Sequence, residues 1–199
     1  AWGREPDALI AAAQAAMAGW QKAGVEGRTG ICLEILDRLN KQSFELAHSV
    51  MMTTGQGWMM AFQAGAPHAQ DRGLEAVAYA YREQKFVPAE TTWEKPQGKN
   101  PPLVLKKHFQ IVGRGVGVVV GCGTFPTWNT YPGLFAALVT GNPVIVSTFS
   151  RSPIAASFSS SVAWAEATRT RNCEAVSVRL RVRTSFEASP PGRRVSSHC

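Results

Sequence analysis

The chain has 199 residues, 45% of them hydrophobic and 18% charged, with a formal net charge of +7 at pH 7. This composition is that of an ordinary globular domain and excludes a low-complexity or collagen-like chain. No apolar run reaches the ~18 uncharged residues of a membrane span, and the four cysteines, without C-x-x-C spacing or clustered histidines, indicate neither a disulfide framework nor a zinc site.

At the amino terminus, charged residues ahead of an Ala-rich stretch match neither a signal peptide nor a transit peptide, so a cytoplasmic location is predicted.

The amino-terminal half has helical periodicity. Apolar residues on one face predict a first helix that ends near Gly24 and a second helix over about 29–53. A third helical region, about 58–85, contains the Gly-Ala-Pro sequence of 65–67, where we expect a kink or break.

The middle of the chain changes to strand periodicity. Residues 87–102 hold four prolines and no apolar period, which indicates an extended segment that crosses from the helices to a sheet. Apolar and polar residues then alternate over 103–111, which is typical of a half-buried antiparallel strand, and the glycines of 113–115 can turn it back. Residues 116–120 are apolar and mostly β-branched, as in a parallel strand buried on both faces.

The next segments predict a β-α-β unit. Glycines end the first strand, an apolar helix is predicted over 131–139, Gly141 and Asn142 stop it, and a second strand spans 144–146. The fold class is therefore α/β. The turn between the first strand and the helix lies at the carboxyl edge of the sheet, where α/β proteins bind ligands.

That turn reads TFPTWN over 124–129, and GLFAALVTGNPVIV follows over 133–146. Together these segments resemble the aldehyde dehydrogenase superfamily, although Thr127 stands where that family usually has proline. The resemblance implies that the Asn129 amide donates to an oxyanion and that Phe125, Thr127 and Trp128 line NAD or NADP. The alternative for Asn129 is a turn residue that bonds its own backbone.

Longer segments narrow the resemblance. GQGWMMAFQAGAPHAQDRGLEAVAYA (55–80) and TTWEKPQGKNPPLVLKKHFQIVGRGVG (91–117) are similar to the phenylacetic-acid-degradation, or PaaN-like, branch of the superfamily. This branch implies NAD(P)-dependent oxidation of a small aldehyde in phenylacetate catabolism by a homo-oligomer. It also implies a helical region with a crossing segment (1–102), followed by a β arm and the first β-α-β unit of a Rossmann-like cofactor domain (103–146).

The composition changes after Val146. Residues 1–146 contain two serines and all seven lysines, whereas 147–199 contain twelve serines, eight arginines and no lysine. Such a stretch is typical of GC-rich DNA read out of frame, so we interpret 147–199 as a foreign, disordered tail produced by a frameshift near codon 147.

By the resemblance, Ser147 replaces a lysine that reaches the adenine-ribose side of the cofactor. Its hydroxyl either bonds the ribose or simply closes a strand.

The family's chemistry also needs a cysteine nucleophile, a glutamate general base and a glycine-rich cofactor turn, which the sequence does not supply. Cys122 ends a strand, and the sequence shows no base or cation nearby that would lower the pKa of its thiol. The chain is therefore interpreted as a fragment that is inactive alone. The alternative function is a non-catalytic interaction protein whose Arg-rich tail binds nucleic acid or another polyanion.

Sequencing the gene through and beyond codon 147, with translation of all three frames, tests the frameshift. A shifted frame is expected to restore Lys-Pro after Val146 and to continue to a glycine-rich turn, a glutamate and a cysteine. If no frame does so, the tail is genuine and the frameshift interpretation is wrong.

Overall fold

The computed structural model of the chain describes residues 6–148 and 178–186, with side chains for residues 7–146. Within these residues, six helices accompany a two-stranded parallel sheet and a three-stranded antiparallel sheet. No helix in this part of the chain is long and apolar enough to cross a membrane.

Five helices occupy the amino-terminal half: α1 Pro6–Lys22, α2 Gly24–Lys41, α3 Ser43–Thr54, α4 Trp58–Gly65 and α5 Pro67–Lys85. The single helix predicted over 29–53 is wrong, because the chain leaves helical geometry at Gln42, with φ −104° and ψ 17°. The Ser43 hydroxyl donates to the Asn40 carbonyl at 2.7 Å and closes the end of α2. Side-chain bonds of this kind compete with the helical backbone bonds.

The predicted break at 65–67 is confirmed between α4 and α5. Pro67 takes the first position of α5, where its missing N–H leaves no helical bond unmade. Gly65 lets α4 approach α3 closely, since a Cβ on Gly65 would lie 2.9 Å from Val50 Cγ2. The proline therefore separates the two helices, and the glycine fixes how closely α4 packs.

A β-hairpin follows the helices, with β1 at Glu90–Gln97 and β2 at Asn100–Gly113. The segment predicted to be extended over 87–102 is extended over residues 90–97, which form the strand β1. Threonines and Trp93 favour extended backbone in β1, and Gly98, with φ +64°, makes the tight turn to β2. The alternating pattern of 103–111 lies in β2, an antiparallel strand, as predicted.

The predicted β-α-β unit is confirmed as β3 Gly117–Gly121, α6 Pro126–Val139 and β4 Val144–Thr148. Strands β3 and β4 are parallel, from Gly117 opposite Val144 to Gly121 opposite Thr148. Helix α6 ends as predicted, because Gly141 adopts φ +89° and its N–H donates to the Leu138 carbonyl at 3.0 Å.

Two details of this unit differ from the prediction. Helix α6 begins at Pro126, well before the predicted start at 131, because the fixed φ of proline suits the first helical position. Trp128 and Asn129 therefore lie in the first turn of a helix. In β3, Val119 is buried against α6, whereas Val118 and Val120 are half-buried, so burial on both faces is incomplete within the described residues.

The last described strand is β5, Val178–Phe186, which pairs antiparallel with the edge of β2 that β1 leaves open. It completes a sheet with the order β1-β2-β5. The prediction of a disordered tail is wrong for these nine residues. Residues 147–148 of the tail belong to β4, and residues 149–177 and 187–199 lie outside the described residues.

The hydrophobic core lies where α6 packs on the helices and on the β3–β4 sheet. Its buried side chains include Leu36, Leu39, Val77, Tyr131, Leu134, Phe135, Leu138, Val139, Val144 and Val146. Gly73 of α5 provides the closest approach to α6, since a Cβ there would lie 2.8 Å from Phe135 Cδ2 and 3.0 Å from Leu36 Cδ2.

Three polar side chains from other helices bind the carboxyl end of α6. The Trp20 indole N–H donates to the Leu138 carbonyl at 2.8 Å. The Val139 carbonyl accepts from Arg28 Nε at 3.1 Å and from Gln84 Nε2 at 3.3 Å, and the Arg28 guanidinium also donates to Gln84 Oε1 at 3.1 Å. The last carbonyls of a helix lack partners within it, and a cation at this end also complements the helix dipole.

Replacement of helical glycines tests this packing. Gly73→Ala is expected to destabilise the chain by about 1–3 kcal/mol, because the new methyl group overlaps a fully buried phenylalanine ring. Gly30→Ala is the matched control: it has open space in α2, and alanine should add up to ~1 kcal/mol of helical stability. Urea unfolding measures both, and equal stability of the two variants would contradict the close contact between α5 and α6.

Candidate functional site

The candidate site begins at the turn between β3 and α6, residues 122–125, which is called the site turn below. It lies at the carboxyl end of β3, and Gly123 has open space where a Cβ would stand. The Gln56 side-chain amide donates to the Thr124 carbonyl, which ties the connection between α3 and α4 to the turn. The site turn is thus held by the helical region and open beside Gly123.

Asn129, the predicted oxyanion donor, lies in the first turn of α6 with an exposed side chain. Its amide nitrogen donates to Cys122 Sγ at 3.0 Å and to the Phe125 carbonyl at 3.1 Å. The second bond is the local backbone contact that was the alternative to an oxyanion role. The Asn129 amide therefore makes the local backbone bond, and its predicted oxyanion role stays a prediction.

Two N–H donors converge on one electron-rich atom in the site turn. Besides the Asn129 amide, the Phe125 backbone N–H donates to Cys122 Sγ at 3.2 Å, and Thr124 Oγ1 lies 3.6 Å from the same sulfur. Convergent donors fixed by the fold stabilise negative charge on the atom that they contact. The site turn can therefore bind an atom that carries or acquires negative charge.

The sequence prediction for Cys122 concerned a nearby base or cation, and the groups beside its sulfur are neutral hydrogen-bond donors instead. Burial raises the pKa of the Cys122 thiol, but hydrogen bonds from the Phe125 backbone, Thr124 and Asn129 outweigh it, so that the pKa lies below its ordinary value. Cys32, buried in α2, shows the opposite balance: burial raises the pKa of its thiol to about 12. The sequence signal that was missed is the placement of Cys122 at a strand end and Asn129 in the first turn of the next helix.

Trp128 and Phe125 form the aromatic part of the site. Their rings meet edge to face, with centroids 5.6 Å apart, and the Trp128 side chain is 43% exposed. The exposed indole offers a flat apolar surface to a planar ring. The predicted role of both residues in lining a cofactor is compatible with this placement and stays a prediction.

Thr127 and Ser147 are the remaining predicted cofactor residues. The Thr127 hydroxyl is buried and donates to the Gly65 carbonyl at 2.8 Å, so it joins α6 to the end of α4. The predicted role of Thr127 in lining a cofactor stays a prediction, since the residue is only 2% exposed. Ser147 lies in β4 opposite Val120, and its side chain lies outside what the structure describes. Among the described residues, no group of three His, Cys, Asp or Glu side chains is placed to hold a metal ion.

Together the fold and the site define an α/β protein with a donor-lined turn at the carboxyl edge of parallel strands. Residues 3–168 match the model of the aldehyde dehydrogenase family, and the chain belongs to that family. The match continues past Val146 into the Ser- and Arg-rich region. Comparison with curated proteins finds no match.

Several solved structures are similar to this chain. An NAD-dependent aldehyde dehydrogenase from Burkholderia multivorans is 64% identical, with a TM-score of 0.71, over 73% of this chain and 26% of that one. A 3,6-anhydro-L-galactose dehydrogenase in complex with NAP is 18% identical, with a TM-score of 0.65, over 83% and 33% of the two chains. HpcC from Thermus thermophilus is 20% identical, with a TM-score of 0.60, over 84% and 31%. The latter two show the fold alone, and this chain spans about a quarter of the Burkholderia enzyme.

The hydrogen bonds to Cys122 predict a measurable pH dependence. In a chain with Cys173→Ser and Cys199→Ser, the rate of Cys122 alkylation by iodoacetamide should rise with pH through the pKa of the thiol. Asn129→Ala removes a donor that stabilises the thiolate, so the midpoint should move to higher pH by on the order of half a unit.

The midpoint is the readout because a change in access alters the limiting rate and leaves the midpoint in place. Asn40→Ala, an exposed asparagine in α2, is the control and should not move it. A midpoint that stays the same or falls in Asn129→Ala would show that the amide does not stabilise the thiolate.

Proposed function

We propose that this chain supplies the oxyanion-binding and nicotinamide-facing part of a cytoplasmic NAD(P)-dependent aldehyde dehydrogenase of the phenylacetate-catabolic, PaaN-like type, which oxidises an aldehyde to an acid. The observation that carries the proposal is the convergence of the Asn129 amide and the Phe125 N–H on a single atom. Family membership and 64% identity to an NAD-dependent aldehyde dehydrogenase support it.

The chemical role of Asn129 follows from its neutral amide. It donates at any physiological pH, and its bond strengthens as charge develops on a substrate oxygen. Both of its N–H groups are engaged in this structure, one with the Cys122 sulfur. Sulfur is a weak acceptor, so exchange of that bond for one to an oxyanion is favourable.

The residues of the site turn fit the nicotinamide end of the cofactor. Trp128, in the first turn of α6, presents an exposed ring that Phe125 contacts edge-on, and Gly123 has open space where a Cβ would stand. When bound, NAD(P) supplies the acceptor for the hydride that leaves the aldehyde carbon. The protein's part is to orient that carbon and to stabilise the charge on its oxygen.

We assign neither the attacking cysteine nor the general base to a residue of this chain. Cys32 is fully buried with a raised pKa, and the Cys122 sulfur lies in the position where the donors converge. The chain alone should therefore produce no NAD(P)H from aldehydes. A homo-oligomer remains part of the proposal for the whole enzyme. The alternative of an Arg-rich tail that binds nucleic acid receives no support from the family match or from the site.

A chimera tests the proposed function. Residues 6–146 replace the matching segment of the Burkholderia multivorans enzyme, and NAD(P)H formation from aldehydes is measured in the parent, the chimera and two variants. The chimera should be active, and Asn129→Ala should lower kcat by about 100-fold to 1000-fold, because one oxyanion donor is lost. Asn100→Ala, at the exposed start of β2, should have no effect.

The outcomes separate the parts of the proposal. A folded but inactive chimera would show that residues 6–146 cannot replace the matching segment of an active aldehyde dehydrogenase. Normal activity of Asn129→Ala would show that Asn129 does not bind the oxyanion.

The phenylacetate assignment is tested separately: in a bacterium that lacks its own PaaN-like enzyme, the chimera should restore growth on phenylacetate. Failure to do so with an active chimera would contradict that substrate.

A further inference from the structure

The peptide group between Thr124 and Phe125 takes part in two contacts of the site turn. Its N–H belongs to Phe125 and donates to Cys122 Sγ at 3.2 Å. Its carbonyl belongs to Thr124 and accepts from the Gln56 side-chain amide. A trans peptide is planar, with its C=O and N–H bonds pointing in opposite directions. The hydrogen bond that holds the carbonyl therefore also sets the direction of the N–H.

Helix α6 does not fix this peptide by itself. The helix begins at Pro126, and its first backbone bond runs from the Asn129 N–H to the Phe125 carbonyl at 3.1 Å. Phe125 has φ −133° and ψ 70°, outside the helical region, so the peptide that it forms with Thr124 precedes the helical bonds. Rotation of this peptide would turn its N–H away from the sulfur and leave α6 intact.

Gln56 can prevent that rotation because its own backbone is fixed between two helices. Gly55 ends α3 in the left-handed conformation, with φ +72°. The Gln56 N–H donates to Thr54 Oγ1 at 3.3 Å, and the Gly57 carbonyl accepts the first backbone bond of α4 at 3.0 Å. The Gln56 side chain therefore reaches the site turn from a rigid position.

The oxygen of the Gln56 side chain makes this residue a poor choice for stability alone. Oε1 is buried and has no hydrogen-bond partner among the residues that the structure describes. Burial of an amide oxygen without a partner is unfavourable. The Thr124 carbonyl can only accept, and the glutamine amide supplies it with a neutral N–H donor. The residue is thus explained by what its donor does to the peptide of the site turn.

We propose that Gln56 is a positioning residue: its amide holds the Thr124 carbonyl and thereby aims the Phe125 N–H at the point where the donors of the site converge. A hydrogen bond on the carbonyl also polarises the peptide, which strengthens its N–H as a donor. This role deepens the proposed function and rests on it for its part in catalysis. The aim of the N–H itself is measured on the Cys122 thiol, without aldehyde or cofactor.

Gln56→Met tests the role in the full-length chain with Cys173→Ser and Cys199→Ser. Methionine keeps the length of the side chain and removes both the donor and the unpartnered oxygen, so unfolding in urea should change little. The pH midpoint of Cys122 alkylation should rise by on the order of half a unit, because the thiolate loses a directed donor. Gln63→Met, at an exposed glutamine of α4, is the matched control and should not move the midpoint.

Asn129→Ala separates the two donors that contact the sulfur. In a chain that already carries Asn129→Ala, Gln56→Met should still raise the midpoint by a similar amount, because it acts through the Phe125 N–H. No shift of the midpoint by Gln56→Met in the parent chain would overturn the positioning role, whatever the change in stability. A shift that disappears in the Asn129→Ala chain would overturn the assignment to the Phe125 N–H.

The chimera with the Burkholderia multivorans enzyme tests the part that rests on the proposed function. Gln56→Met should lower its kcat on the order of tenfold with little change in the KM for the aldehyde, because a donor to the developing charge is misaligned. An unchanged kcat together with a raised midpoint would support the positioning role and contradict the Phe125 N–H as an oxyanion donor. The two proposals therefore fail in different measurements.

Discussion

The structure depends on how the carboxyl end of α6 is held. A helix that ends inside a protein must satisfy its last carbonyls, and here three helices contribute: Trp20 from α1, Arg28 from α2 and Gln84 from α5. Arg28 is 1% exposed, so its charge is balanced by carbonyl and amide oxygens and by the helix dipole. Because one set of bonds joins four helices, α6 takes one position relative to all of them.

That position determines the geometry of the site. The opposite end of α6 carries Trp128 and Asn129, and the buried bond from Thr127 to the Gly65 carbonyl fixes this end to α4. A displacement of α6 along its axis would break contacts at both ends. The convergence of the Asn129 amide and the Phe125 N–H on one atom is therefore a property of the helical framework as much as of the site turn.

The sequence predicted elements whose signals are local and missed those that depend on distant contacts. The glycine and proline at 65–67 and Gly141 act through their own backbone geometry, so the break and the helix end were predicted correctly. The break at Gln42 is bound from α5, since the Gln70 amide donates to the Leu39 carbonyl and to the Ser43 hydroxyl, and β5 pairs with a strand far away in sequence. The approach of Asn129 to Cys122 required the early start of α6, which periodicity alone placed too late.

The buried junction of Arg28 also determines how the protein responds to acid. Its described acceptors are a peptide carbonyl and the Gln84 amide oxygen, neither of which takes up a proton at moderately acidic pH. The surface pair Lys85–Glu26 differs, since the hydrogen bond from Lys85 lowers the pKa of the Glu26 carboxyl and is lost once that carboxyl is protonated. In acid, therefore, the bonds that join α1, α2 and α5 to the carboxyl end of α6 stay in place while this exposed pair is lost, because these bonds depend on no carboxylate.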